Sequence, residues 1–309
     1  MNALRQAMLQ EVLQGLSDHP RHLPPKLFYD ALGSRLFDAI TLTPEYYPTR
    51  CELEILRAQA PGLAARLSGA LLVELGAGTA TKVGLLLDQA RDLAGYVPID
   101  IDGHTLDLAA RALRRRHPWL DVRPVVADLT EGLDLPDREG DGPLVVFYPG
   151  SSIGNFDRDD ACALLAGVGE GLRPGDGLLI GFDLDKDPEV LERAYDDAAG
   201  VTAAFNRNLL ARLNRELGAD FDVASFAHEA AYDRAQGRID MHLRATRAHT
   251  VRIDGHRFSL AEGDRIHTES SWKYTRASFA ALAADAGWRE EQVWTDRRGW
   301  FAVGWYGRA

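Results

Sequence analysis

Between residues 70 and 185, short apolar runs alternate with stretches whose apolar positions recur at helical spacing. The runs at 70–75, 96–99, 122–127, 143–148 and 177–182 predict strands, and the segments 82–93, 104–115 and 159–172 predict the helices between them. Strands separated by helices imply a parallel sheet with helices on both faces. Right-handed crossovers then gather every strand C-terminus on one edge, the edge where such sheets bind ligands. After Asp185 the pattern changes. A long helix candidate, AYDDAAGVTAAFNRNLLARLNREL, precedes strand-like pieces at 238–245, 249–253 and 265–271. The α/β pattern resumes with a helix over 278–286 and two closing strands, 292–295 and 300–305, whose DRRG turn suits an antiparallel pair. The first sixteen residues place Leu4, Met8, Leu9, Val12, Leu13 and Leu16 on one helical face but interrupt them with Arg5, Gln6, Gln10 and Glu11, so they predict an amphipathic helix without a signal-peptide core. The expected division is an α/β domain over 52–185 and 274–309, with 1–51 and 186–273 forming a second α+β lobe.

Composition narrows the partners. The 309 residues are 46% hydrophobic and carry a net charge of −11, so the chain has material for a substantial core and lacks the concentrated basic surface that nucleic acid or an anionic membrane requires. The dense basic run Arg111, Arg114, Arg115 and Arg116 falls late in a predicted helix, where cations suit the helix dipole. Cys51 and Cys162 stand far apart without metal-ligand spacing, which argues against a disulfide framework or structural zinc and for a reducing cytoplasm. No run approaches the ~20 apolar residues that span a bilayer.

The candidate chemistry starts at VELGAGTATK, residues 73–82, where an apolar strand enters a Gly76-Ala-Gly78 turn with Glu74 beside it. Such a turn admits close backbone approach and presents a ligand to the next helix N-terminus. Nicotinamide, flavin and methyl-donor enzymes all use turns of this kind. Thr81 stands where a dinucleotide fingerprint would place its third glycine, and that weakens a pyrophosphate cradle. Glu74 and the closing antiparallel strand pair favour a methyl donor. Asp100, ending the next strand, is suited to accept two ribose hydroxyl hydrogen bonds.

Several separate segments, LPPKLFYDALGSRLFDAI, PEYYPTR, AYDDAAGVTAAFNRN, RIDMHLRA and TESSWKY, resemble the L-histidine Nα-methyltransferases of ergothioneine biosynthesis, and the resemblance covers nearly the whole chain. It implies a Rossmann-like class I methyltransferase sheet, mostly parallel with a terminal antiparallel strand, beside a substrate-binding lobe. It further implies S-adenosylmethionine held by Gly76, Lys82, Asp100, Asp128 and Leu129, with Leu129 standing where the family commonly has an aromatic. Histidine would lie between the lobes, its carboxylate on Asn155 and Tyr195, its amine near the Gly150 backbone, and its imidazole on Tyr46, Glu269 and Ser271 with Met241 as a wall. A pocket of this polarity rejects side chains that leave its groups unpaired by roughly 10⁴-fold.

The resemblance places Tyr29 near the amine in an orienting role. Phe37 and Tyr29 are aromatics whose π faces suit a quaternary ammonium product. Asp183, Asp185 and Asp187 read as a loop at a strand end, and no metal is expected. The implied partners are free L-histidine and its mono- and dimethylated forms, acted on by a monomer. A same-family enzyme for another amino acid and a nicotinamide-dependent oxidoreductase are the alternatives.

Overall fold

The computed structural model describes residues 3–129, 132, 135–136 and 140–308. From the N-terminus run α1 (Ala3–Ser17), β1 (Arg21–His22) and α2 (Ala31–Thr41). Next come α3 (Pro48–Arg66), β2 (Leu71–Leu75), α4 (Thr81–Leu87), β3 (Gly95–Asp100), α5 (Gly103–Arg116), β4 (Val125–Val126), β5 (Leu144–Tyr148), α6 (Arg158–Glu170) and β6 (Gly177–Asp183). The middle stretch forms α7 (Pro188–Tyr195), α8 (Val201–Leu217), β7 (Phe226–Asp233), β8 (Arg238–Ala245), β9 (His249–Ile253), β10 (His256–Leu260) and β11 (Arg265–Trp272). The chain closes with α9 (Arg276–Asp285), β12 (Trp288–Thr295) and β13 (Phe301–Arg308). Two compact units result: Met1–Tyr46 with Asp187–Ser271, and Tyr47–Lys186 with Trp272–Ala309.

The second of these, the sheet unit, is a seven-stranded sheet in the order β12-β13-β6-β5-β2-β3-β4. β2 pairs in parallel with both β3 and β5, and β5 with β6, whereas β13 runs antiparallel to β6 and to β12. This is the Rossmann-like class I methyltransferase sheet, with its order reversing between β2 and β5. β2, β5 and β6 are buried at every position, which explains their unbroken apolar runs. Against them pack Phe279, stacked on Phe182 at 3.8 Å, and Trp288, whose indole N–H donates to the Leu165 carbonyl at 2.9 Å. The DRRG turn closes because Asp296 accepts the backbone N–H groups of Arg298, Trp300 and Phe301.

The α+β unit holds a four-stranded sheet, β1-β11-β8-β7, and the ribbon β9-β10. β8 alternates strictly, burying Ile239, Met241, Leu243 and Ala245. The long helix expected from AYDDAAGVTAAFNRNLLARLNREL is broken in two. α7 stops at Tyr195, Gly200 takes φ +72°, and the Asp197 carboxylate caps α8 by accepting the N–H groups of Val201 at 3.0 Å and Thr202 at 2.7 Å. Two sheet elements are also shorter than their apolar patterns: α4 ends at Leu87, and β4 keeps two residues. No described helix is long and apolar enough to cross a membrane.

Candidate functional site

In the sheet unit the candidate residues gather at the C-terminal ends of β2, β3, β4 and β5. Gly76 and Gly78 adopt φ +65° and +49°, and a Cβ at Gly76 would meet no atom within 4 Å, so the turn is open to close approach. Asp100 shapes it from below: Oδ2 accepts the Gly78 N–H at 2.8 Å and Oδ1 the Asp102 N–H at 2.9 Å. Each oxygen retains lone-pair capacity for a hydroxyl. Burial raises the Asp100 pKa against these two backbone bonds, and the nearby Asp102 charge adds to the rise. Behind the turn Glu74 is fully buried and accepts the Tyr96 hydroxyl; burial pushes its carboxyl up to about 8, although Tyr96 and Lys82 pull the other way. Tyr96 is itself raised, by burial and by the Glu74 charge.

Lys82, in the first turn of α4, points its ammonium at Glu52, 2.7 Å away on α3. The same carboxylate accepts the Gly150 N–H at 2.9 and 3.0 Å. Gly150 follows β5 with φ +86°, and a Cβ there would stand 2.9 Å from the Lys82 nitrogen. The loop continues through a 3₁₀ turn, Ser152–Asn155, that ends on half-buried Asn155, and Ser151 anchors it to β6 by accepting the Asp183 N–H at 2.9 Å. Gly154 is required where it stands, because a Cβ would approach the Trp272 carbonyl to 2.8 Å. Asp128 and Leu129 follow β4; Ala127 donates to the Asp100 carbonyl at 3.1 Å, and Leu129 rests against the sheet core.

Asp183, at the end of β6, forms a buried network of its own. It accepts the Tyr47 hydroxyl at 2.6 Å and pairs with Lys186 at 2.7 Å and Lys273 at 2.9 Å. Burial would raise its pKa, but Lys273 and Lys186 outweigh burial and hold it below the usual carboxylate range. Asp187 caps α7 through the Glu189 N–H at 2.9 Å. Among the described residues no group of three or more His, Cys, Asp or Glu side chains could hold a metal ion.

In the α+β unit, Tyr195 ends α7 and its hydroxyl lies 2.8 Å from the Ser271 hydroxyl on β11. Tyr46 meets Tyr195 edge-on at 6.2 Å, Phe37 meets Tyr46 at 6.2 Å, and Tyr29 meets Phe37 at 6.0 Å. Glu269 is buried two residues before Ser271 on β11, and Met241 is buried on the neighbouring β8. Four side chains without an assigned role support this row. Phe205 packs against Tyr29 and Phe37 and stacks on Phe28 at 4.5 Å. Asn208 donates to Asp30 at 2.9 Å beside Tyr29, while His228 sits 2.8 Å from both the Tyr195 carbonyl and the Asn206 amide. Burial lowers the His228 pKa, which keeps its imidazole neutral. Phe205, Asn206 and Asn208 lie inside AYDDAAGVTAAFNRN, so the length of that segment was their signal. Glu52 had none.

Residues 8–308 match the model of the family described as histidine-specific methyltransferase, SAM-dependent. A histidine N-alpha-methyltransferase of Mycolicibacterium smegmatis is 44% identical over 303 residues, covering 96% of this chain and 94% of that protein. The ergothioneine biosynthesis protein 1 of Neurospora crassa is 34% identical across 90% of this chain and 32% of its own length. Among solved structures, an S-adenosylmethionine-dependent methyltransferase from Clostridium acetobutylicum aligns with a TM-score of 0.47 at 12% identity, over 85% of this chain and 92% of that one. On a family match that spans nearly its whole length, this chain belongs to the histidine-specific, S-adenosylmethionine-dependent methyltransferases.

Proposed function

We propose that this protein trimethylates the α-amino group of L-histidine with S-adenosylmethionine, giving histidine betaine (hercynine) as an early step of ergothioneine biosynthesis. The observation that carries the reading is the histidine-specific family match over residues 8–308. The sheet unit suits the donor: Gly76 has open space where a Cβ would be, and Asp100 presents a carboxylate oriented by two backbone N–H groups. When bound, S-adenosylmethionine supplies a methyl group on a sulfonium that is its own leaving group. The protein's task is then to hold the amine in line, dry and deprotonated.

In this reading Asp100 takes the ribose hydroxyls, Asp128 and Leu129 the adenine, and Lys82 the anionic end of the donor. Glu269 accepts an imidazole N–H, Tyr46 and Ser271 bring hydroxyls to the ring, and Met241 walls the pocket. Asn155 and Tyr195 are neutral donors to the amino acid carboxylate. Because Gly150 gives its N–H to Glu52, the backbone there faces the amine through carbonyl oxygens. Tyr29 orients the amine lone pair and relays its proton toward solvent. Over three transfers one ammonium and three sulfonium cations become one quaternary ammonium, three neutral thioethers and three protons. Phe37 and Tyr29 meet that final cation with π faces. We take the enzyme to act as a cytoplasmic monomer without a metal, which light scattering and activity in chelator would test.

The deciding experiment is a mass spectrum of free histidine incubated with S-adenosylmethionine and the protein. Three successive methyl increments are expected; absence of product under saturating donor would refute the reading. Glu269→Ala should cut kcat/KM for histidine by about 100-fold, the scale of a lost charge-assisted hydrogen bond in a buried site. Unchanged kinetics would point to a different amino acid as the substrate.

A further inference from the structure

Glu52 enters the scheme so far only as the acceptor of the Gly150 N–H, and three features set it apart. Its side chain is fully buried, yet its carboxylate is committed to Lys82 at 2.7 Å and to the Gly150 N–H at 2.9 and 3.0 Å. Two glycines clear the space the ion pair needs: a Cβ at Gly181, inside β6, would stand 2.1 Å from Glu52 Oε1, and a Cβ at Gly150 would stand 2.9 Å from the Lys82 nitrogen. Finally, its two partners sit at the ends of adjacent strands, Lys82 after β2 and Gly150 after β5, on either side of the point where the sheet order reverses. A buried ion pair is a poor device for stability alone, since well-packed apolar groups of similar volume do as well or better. A retained charge with glycines cleared around it calls for a different reason.

We propose that Glu52 is a positioning residue that couples the donor-binding lysine to the loop that receives the amine. Its carboxylate holds the Lys82 ammonium in one direction, so that the remaining N–H donors of Lys82 face the carboxylate of S-adenosylmethionine. Through the Gly150 N–H the same carboxylate fixes the Pro149–Gly150 peptide plane, and with it the entry to the loop that ends on Asn155. The inference rests on the function proposed above for the identity of the amine. The Lys82 half of it can be read without histidine.

The test uses the full chain with Glu52→Gln, Lys82→Met and the double variant, titrated with S-adenosylhomocysteine by calorimetry. Glutamine keeps an oxygen for the Gly150 N–H but removes the charge opposite Lys82. Each single variant is expected to weaken binding by about tenfold, the scale of one hydrogen bond to a charged group. The double variant should be no weaker than the poorer single one, because both changes remove one shared interaction. Additive losses, or unchanged affinity in folded variants, would overturn the proposal. A residue that served only packing would lower Tm and leave the affinity of the folded fraction alone.

Should Glu52→Gln fail to fold, Lys82→Met carries the test by itself. With its ammonium partner gone, the buried Glu52 carboxylate loses the contact that fixes its direction and holds Gly150 less tightly, so the histidine KM at saturating donor should rise about threefold or more. A histidine KM equal to wild type would overturn the coupling. If the wild-type chain did not methylate histidine at all, the function would fall, while the S-adenosylhomocysteine titrations would still decide the Lys82–Glu52 pairing.

Discussion

Asp183→Asn removes the charge at the centre of the buried network in the sheet unit. In the native protein the Lys186 and Lys273 ammonium groups lie 2.7 and 2.9 Å from Asp183, with side chains only 5% and 0% exposed. Asparagine leaves both cations buried without an anion. Removing one partner of a buried pair costs about 3–5 kcal/mol. The amide oxygen still accepts the Tyr47 hydroxyl or one ammonium, which argues for the lower end, about 3 kcal/mol. For a chain of this size that corresponds to a fall in Tm of roughly 6–12 °C.

The pH dependence makes this prediction specific. In the native fold burial lowers the Lys186 pKa from 10.5, and Asp183 opposes the shift. Without Asp183 the folded pKa of Lys186 falls further below its unfolded value. The resulting penalty is complete below the folded pKa and disappears as pH rises toward the unfolded value near 10.5. The Tm gap between wild type and variant should therefore narrow from pH 7 to pH 10. It should also begin to narrow in acid, because a depressed carboxylate contributes its full stability above its unfolded pKa of 3.8 and loses it as pH falls from there through the folded value. Thermal melts followed by circular dichroism across pH 3–10 would measure both limbs. A drop of less than about 2 °C at pH 7, or a gap that stays constant into alkali, would refute the reasoning.

Glu74 gives a pH signature of opposite sign. Burial raises its carboxyl from 4.5 to about 8, so its contribution is complete below pH 4.5 and is lost as pH rises through 8. Urea titrations of Glu74→Gln at pH 5, 7 and 9 should show a flatter stability profile than wild type; parallel profiles would contradict it. Asp197→Ala removes the cap of α8, where bonds from Thr202 and Val201 overcome burial and lower the carboxylate pKa. It should cost about 1–2 kcal/mol by urea unfolding at pH 7, a loss that shrinks only as pH falls below the unfolded value of 3.8 and through the lower folded one; an unchanged midpoint would count against the cap.

Much of the sheet unit was legible because its interior strands are buried on both faces and therefore read as unbroken apolar runs. The glycine turn, Asp100 and the antiparallel close were visible for the same kind of reason: each depends on residues near in sequence. Elements failed to show where local pattern was overruled. The single helix expected from residue 194 onward breaks because Asp197 offers its carboxylate to two N–H groups and Gly200 takes a left-handed conformation, while the apolar spacing runs on across the break. β4 is far shorter than its expected run because the pairing with β3 is interrupted at Pro124, which has no N–H to give, leaving an isolated bridge from Val122 to Tyr96 ahead of Val125 and Val126.

By itself, the sequence determined the alternation of strands and helices, the glycine turn after the first sheet strand, and the family, since these are written in short-range spacing and in segments too long to coincide by chance. Only the tertiary structure decided that Lys82 and Gly150 share Glu52, that Phe205 packs on Tyr29 while Asn208 bonds Asp30, and that Tyr47, Lys186 and Lys273 meet at Asp183. The reason is physical. A buried charge is tolerated only where its partners arrive, and those partners come from stretches as far apart as residues 47, 183 and 273. Neither periodicity nor local propensity carries that distance, so the counter-charges become visible only once the chain has folded.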